Sequence, residues 1–572
     1  MLSRTVAVLL LASALCQGQM TREQKVADFL QLASVYAVNY GPLQWKTQAL
    51  GVDPLNLGDW LDKVAKSSDD LDFYEVCVAY VASLNDAHSA FEVPSDFQAR
   101  LGFDADIYDG KILIDSINRS QLSSVKYPFA IGDEVVSIDG VAPADLVQQF
   151  TKYAIAANDV STRRSASELL TVRPQIIMPH AHQIGDEAVV VIRNQNGEEH
   201  TYSIPWAKVG TPLTFVGPVI SPFLPNASAG VAGSSPGDYM APLRRLRNLR
   251  LPKTKATTGF GALKPLFNMP PGFVVRMGAT GYDSLYSGTF SAQGRTLGYI
   301  RFPDFLYYSP DDLENELAFM ETNTDGLIID VMHNPGGDAC VTEDALKHFF
   351  TTQFRSIGLE IRATRAWVLD FMQALEWAQF AGAPDDVIQQ YKDLLQQVEN
   401  AYAMPSGRTP PLPVCESTVD LSPATDQNGN VIGYSKPIMV LTDEFTASAA
   451  EFFSAVMQDN QRARLFGART MGAGGNVSGY TATTYSYGAA SVTESLMSRK
   501  APIVTREFPT APYVENIGVR PDNVQEYATV DNLVNHGATF VSAFTDAMVQ
   551  HIESGVAPRE VGGHRVPPKP RR

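Results

Sequence analysis

Ser448 lies in the stretch LTDEFTASAAEFFSAVMQDNQRARLFGARTMGAGG, Leu441 to Gly475, where an apolar strand pattern passes through a small-residue turn into a helical pattern. A serine at such a turn presents its hydroxyl at the carboxyl end of a sheet, where ligands bind in open α/β folds. Upstream, GLIIDVMHNPGGD (residues 326–338) has a related layout, an aliphatic strand ending in a glycine turn. The first N–H groups of a helix have no intrahelical acceptor. Ala449, with Gly336 or Gly337, could therefore bind the oxyanion of an acyl-transfer reaction. Glycine suits that turn because its backbone can approach a ligand closely. Taken alone, Ser448 reads as a helix N-cap and the glycine pair as a tight turn. Together they point to nucleophilic chemistry, and that chemistry needs a base. Neither lysine nor histidine occurs between 441 and 475, and Arg464 and Arg469 do not give up a proton at neutral pH.

These two stretches, in this order, resemble the core of the C-terminal-processing (tail-specific) and tricorn group of serine peptidases. The resemblance selects Ser448 as nucleophile, with Glu451 three residues on. Where the tail-specific branch has its lysine, 25 residues after the serine, this chain has Ala473. The tricorn branch completes its site with a histidine and a glutamate. YVASLNDAHSAFEVP (residues 80–94) resembles its histidine motif, and YVENIGVRPD (513–522) its acidic stretch. The resemblance thus implies a Ser-His-Glu set: Ser448 attacks, His88 is the base, and Glu515 orients the imidazole. Asp86, two residues before His88, is another candidate for orienting it. A histidine base predicts a rate rising through about pH 6 to 7.5. Asp459 reads as a supporting residue that holds the serine helix. His333 could line the site or belong to the strand end. His180 and His182 have a spacing that suits metal ligation on a strand, but no acidic or cysteine companions are evident. No metal and no organic cofactor are expected.

The elements that must position these residues follow from texture. Residues 1–19 read as a secretory leader, since the apolar run from Val6 to Leu15 is too short to span a bilayer. Residues 20–100 have helical spacing. Residues 101–215 read as short strands about polar turns and resemble a PDZ module, interrupted by an insertion over 155–185. Residues 216–290, rich in Pro, Gly, Ser and Ala, read as a linker or long loop. Residues 291–530 alternate strand and helix, the grammar of a mostly parallel sheet. Within them 364–402 reads as a helical insertion, which could cover the site or make a homodimer contact. Residues 531–572 read as a helix and a basic, proline-rich tail. The fold expected is α/β with an N-terminal helical domain and a PDZ-like β module, and the resemblance implies that its core is ClpP/crotonase-like. His88 and Ser448 are so remote in sequence that the site can assemble only when the helical region packs on the core.

The chain has 572 residues, with 62 acidic and 45 basic side chains and a net charge of −17. That balance argues against binding a nucleic-acid backbone, which needs clustered Lys and Arg. No segment after the leader is apolar for long enough to insert in a membrane. After removal of the leader, Cys77, Cys340 and Cys415 remain, and read as buried apolar residues with room for one bridge in an oxidising compartment. The reading is an exported serine peptidase acting on polypeptides, extracellular or, in a bacterium, periplasmic. The competing reading is an inactive pseudopeptidase that keeps the fold and binds peptides or another ligand. The lost lysine is its best argument.

Overall fold

The computed structural model describes residues 19–154, 156–218, 260–280, 283–404 and 407–555. The expected leader lies, but for Gln19, outside these residues. So do most of the expected linker and the basic tail from 556 on.

Four helices open the chain: α1 (Arg22–Asn39), α2 (Leu43–Leu50), α3 (Gly58–Lys66) and α4 (Asp70–Ala82). Thr21 starts α1 with a reciprocal cap, its Oγ1 accepting from Gln24 N while its own N donates to Gln24 Oε1. Asp69 caps α4 through Asp72 N at 2.8 Å. After α4 a tight loop, Asn85–Ser89, leads into a short strand, β1 (Ala90–Glu92).

The PDZ-like region holds a five-stranded antiparallel sheet of Phe103–Tyr108, Lys111–Ile117, Glu134–Ile138, Glu187–Arg193 and Glu199–Pro205. Between its third and fourth strands lie the helices Pro143–Phe150 and Asp159–Glu168, of which only the second falls in the expected insertion over 155–185.

A seven-stranded sheet forms the core. In spatial order its strands are Val274–Met277, Tyr286–Ala292, Arg295–Arg301, β2 (Gly326–Asp330), β3 (Ile438–Thr442), Ala463–Gly467 and Asn523–Val524. The first two pairings are antiparallel and the rest parallel. Every residue of β2 and β3 is buried, as befits parallel strands covered on both faces. One face carries Pro310–Asn323, α5 (Ala339–Lys347) and α6 (Ala449–Asp459), and the other carries Ala538–Glu553. The linker expected to run to 290 is therefore corrected at its end. One strand of the core sheet, Val274–Met277, lies inside it and a second, Tyr286–Ala292, begins inside it, and the glycines and serines of this segment had masked them. Gly288 is there because a Cβ would meet the Phe273 ring at 2.3 Å. The helices Arg365–Phe380 and Asp385–Ala403 pack on each other as a hairpin.

A single apolar cluster runs from the N-terminal helices through the PDZ-like sheet into the core, from Phe29 and Tyr36 through Phe103 to Phe445, Met471 and Ala473. β1 pairs antiparallel with β4 (Ala489–Thr493), Phe91 opposite Ala490. The Asp28 carboxylate accepts from Thr484 N, Tyr485 N and Ser486 Oγ, each at 2.7 Å. Packing of the helical region on the core is thus both apolar and hydrogen-bonded.

Among the described residues no helix is long and apolar enough to cross a membrane. Cys340, at the start of α5, is bonded to Cys415. The reading of all three cysteines as buried apolar residues holds only for Cys77.

Candidate active site

Ser448 joins β3 to α6 with φ +55° and ψ −118°. An ordinary N-cap residue sits in the extended region, whereas a side chain at positive φ is held there by its surroundings. The loop before it is pinned at each step. Asp443 N donates to Thr446 Oγ1, Thr446 Oγ1 donates to Val331 O at 2.9 Å, and Ala447 N donates to Asn334 O at 3.0 Å. The serine loop is thereby laced to the turn that follows β2.

That turn approaches the serine closely. Gly336 has φ +89°, and a Cβ there would stand 2.7 Å from both Ser448 Cβ and Ala449 N. Its N–H donates to Asn334 Oδ1 at 2.8 Å. Of the two glycines proposed for an oxyanion contact, Gly336 thus has its N–H turned onto Asn334, and Gly337 forms a parallel bridge with Phe305. His333 belongs to the same turn, with its N donating to Asp443 Oδ1 at 2.9 Å and its Nδ1 against Asp443 Oδ2. Burial pushes the Asp443 carboxyl up, but His333 and Arg164 outweigh it and hold the group well below the usual carboxylate range. His333 is therefore a brace of the serine loop.

Glu451 ties the serine to the MGAGG stretch. Its Oε2 accepts from Ser448 N at 3.1 Å and Ala473 N at 2.7 Å, and its Oε1 from Gly472 N at 2.7 Å and Thr470 Oγ1. Burial raises its pKa to about 7, against the pull of those donors. Next along the chain, Gly474 N donates to Glu515 Oε2 at 3.1 Å. The stretch without a lysine thus connects two carboxylates through its backbone.

Glu515 follows the strand Ala511–Tyr513 and is fully buried. Its second oxygen, Oε1, is bonded to Lys46 Nζ, which also donates to Asn516 Oδ1 at 2.8 Å and Asn85 O at 3.0 Å. Asn85 starts the loop that carries His88. In that loop Asp86 Oδ1 accepts from His88 N at 2.9 Å and Thr493 Oγ1 at 2.9 Å, while Oδ2 accepts from Tyr40 Oη at 2.8 Å. Asp86 therefore holds the backbone of His88. Burial lowers the His88 pKa to about 4, with Asp86 opposing and Lys46 assisting. Burial and Asp86 raise that of Glu515 to about 8, against Lys46. One connected network therefore runs from Ser448 through Glu451, the MGAGG backbone, Glu515 and Lys46 to the His88 loop.

Asp459 lies at the far end of α6 from Ser448, where Arg499 Nε meets its carboxylate at 3.1 Å. It anchors the helix to Ser495–Ile503. His180 and His182 part company. His180 Nε2 meets Asp72 Oδ1 at 2.9 Å beside Asp69, and His182 Nδ1 meets Gln175 Nε2 at 3.0 Å. Acidic companions for His180 come from the start of α4, where Asp69 already caps the helix.

Lys46 is the residue that sequence reasoning missed. It carries no motif and sits in an eight-residue helix whose text, LQWKTQAL, gives no sign that this position is buried. Beside the serine loop, a cavity of about 550 Å³ opens between the PDZ-like module and the core, lined by Asp106, Arg164, Phe260, Phe267, His333 and Tyr527 among others.

Residues 296–522 match peptidase family S41 and residues 98–212 match the PDZ domain. A protein of Chlamydia trachomatis serovar D is 24% identical over 553 residues, covering 86% of this chain and 87% of its own. The carboxy-terminal processing protease CtpB of Bacillus subtilis is 34% identical over 70 residues, 12% of this chain and 15% of its own. Among solved structures, that of mature CPAF superposes with a TM-score of 0.74 at 19% identity, covering 94% of this chain and 99% of that one. This last likeness speaks for the fold, over nearly the whole of both chains.

Proposed function

We propose, from the premise that this chain is a serine peptidase of family S41, that it cleaves polypeptides through an acyl-enzyme formed on Ser448, with His88 as base in place of the lysine of the tail-specific branch. The observation that carries this reading is the bonded network that joins the positive-φ serine to the Glu515 and His88 segments. His88 takes the hydroxyl proton as Ser448 attacks the scissile carbonyl, then returns it to the leaving amine. Ala449 N–H, at the start of α6, receives the oxyanion, with the Gly336–Gly337 turn closing round it. Because burial brings His88 to about 4, its imidazole is neutral throughout the neutral range and ready to accept a proton. The limb that belongs to the histidine itself, expected between pH 6 and 7.5, is displaced to lower pH, and any rise above it belongs to another group.

A Ser-Lys dyad built on Lys46 is disfavoured, since all three of its N–H groups are donated and its nitrogen offers no lone pair. The export reading rests on the apolar leader text and is supported by the Cys340–Cys415 bond, a kind kept in oxidising compartments. Polypeptide access would be through the cavity beside His333.

A fluorophosphonate probe tests the assignment. The wild type is expected to label, Ser448→Ala not at all, and His88→Asn roughly 10³-fold more slowly or worse. Absence of labelling in the folded wild type would return the pseudopeptidase reading.

A further inference from the structure

We infer that Lys46 is a positioning residue of this site: its ammonium is the strut that fixes the Glu515 carboxylate against the loop carrying His88. The inference rests on the proposed Ser-His-Glu reading and adds to it a fourth group from a helix outside the family's motifs.

The geometry has three parts. Lys46 is fully buried, and its three N–H groups reach acceptors on two different segments: Glu515 Oε1, Asn516 Oδ1 and Asn85 O. An ammonium has three donors, so the set is saturated. Asn516 closes the frame, donating from Nδ2 to Asn85 O at 2.8 Å and to Ala157 O at 2.7 Å. Next to the lysine, Trp45 Nε1 donates to Glu515 O at 3.1 Å and to Asn516 Oδ1 at 3.1 Å. α2 thus grips the acidic turn by both side chain and backbone, and through Lys46 grips the histidine loop as well.

The charges explain why a lysine stands there. The titratable groups that act on Glu515 are Lys46 from α2, Asp86 from the loop after α4 and Tyr40 from the end of α1, and of these Asp86 and Lys46 act on His88 as well. Once Glu515 has ionised, and with His88 neutral, the two carboxylates of Asp86 and Glu515 stand against the one ammonium of Lys46. Proton uptake by His88 brings the set to balance, which favours the imidazolium formed during attack. That benefit requires Glu515 to be ionised. Burial and Asp86 both oppose its ionisation, and Lys46 is the nearby cation that favours it. Without the cation the acid holds its proton, and a protonated carboxyl is a donor where the imidazolium needs an acceptor. The sign follows. Activity rises with pH as Glu515 ionises, around pH 8 in the wild type, and removal of Lys46 moves that limb upward.

The test is the rate of fluorophosphonate labelling and of fluorescein-casein hydrolysis between pH 5 and 10.5, on the full chain with melting temperatures recorded. The expected result for Lys46→Met is a limb displaced upward by about one pH unit or more, with KM for casein changed less than twofold and kcat below pH 8 lowered at least tenfold. Lys46→Arg keeps the charge and should keep the limb within about 0.3 units of the wild type. A loss of equal size at every pH, with the limb unmoved in both variants, would mean that Lys46 only supports the fold, and the inference falls. A wild-type rate that is flat from pH 6.5 to 10 overturns it without any variant, which decides the matter should Lys46→Met not fold. If instead Ser448→Ala or His88→Asn label as the wild type does, the underlying site assignment has failed, and not this inference alone.

Discussion

At the scale of single residues, the site is a set of buried polar groups whose charges are governed by what they touch. His88 is the clearest case. Its folded pKa of about 4 lies below the 6.5 of an exposed histidine. Between those values the unfolded chain binds the proton and the folded chain does not. The contribution to stability is therefore fully present above pH 6.5 and is lost as pH falls toward 4, by about 3 kcal/mol in all. Denaturant unfolding should show the wild type minus His88→Asn difference growing by that amount from pH 4 to 6.5 and then levelling. Gly336 makes a second prediction. A methyl group there meets Ser448 Cβ and Ala449 N at 2.7 Å, and the +89° φ is strained for alanine. Gly336→Ala should lower kcat at least 100-fold while the fold survives, measured as turnover beside melting temperature. Sequence reading could reach Ser448, Glu451 and the glycine pair because each sits in a motif whose shape is local. Lys46 could not be reached, since its burial comes from Glu515 and Asn85, far along the chain in either direction.

Elements set where those residues point. The serine helix is started by the turn from β3 and held at its other end by Asp459 and Arg499. The glycine turn is held by α5, whose first residues are tethered through Cys340 to Cys415 across a separation of 75 residues. That covalent loop encloses the helical hairpin Arg365–Phe380 and Asp385–Ala403. Closing so long a loop removes chain entropy from the unfolded state worth about 4 kcal/mol. Replacing both cysteines by serine should lower unfolding stability by a large part of that figure, read by denaturant titration without reductant. The alternation of strand and helix was legible from aliphatic runs such as GLIID, and the PDZ-like strands from their polar turns. The edge hairpin over 274–292 was not, because its glycine and serine content imitates a loop. Its strands are specified by pairing with Arg295–Arg301, a contact no local pattern announces.

For the whole molecule, the N-terminal helices are packed into one body with the serine loop. One apolar cluster unites them with the PDZ-like sheet and the serine loop. Asp28 makes the joint specific, since its carboxylate alone answers three donors from the loop 484–486. Asp28→Ala leaves those donors buried without an acceptor, at a cost of about 2–4 kcal/mol. The expected outcome is faster proteolytic nicking of the helical region and a parallel loss of turnover, followed by limited trypsin digestion beside the casein assay. Independence of the two would show that docking and catalysis are not linked. Sequence reasoning expected the helical region to pack on the core, from the remoteness of His88 and Ser448, but not the bonds made by Asp28.

The lacing of residue 46 to residue 515 has a consequence for the order of events during synthesis. The ribosome makes the imidazole early, the hydroxyl much later, and the acidic turn later still. On the proposed assignment, Ser448 has no aligned partner until that turn has emerged and docked, and the growing polypeptide stays harmless to its own unfolded segments and to the proteins around it.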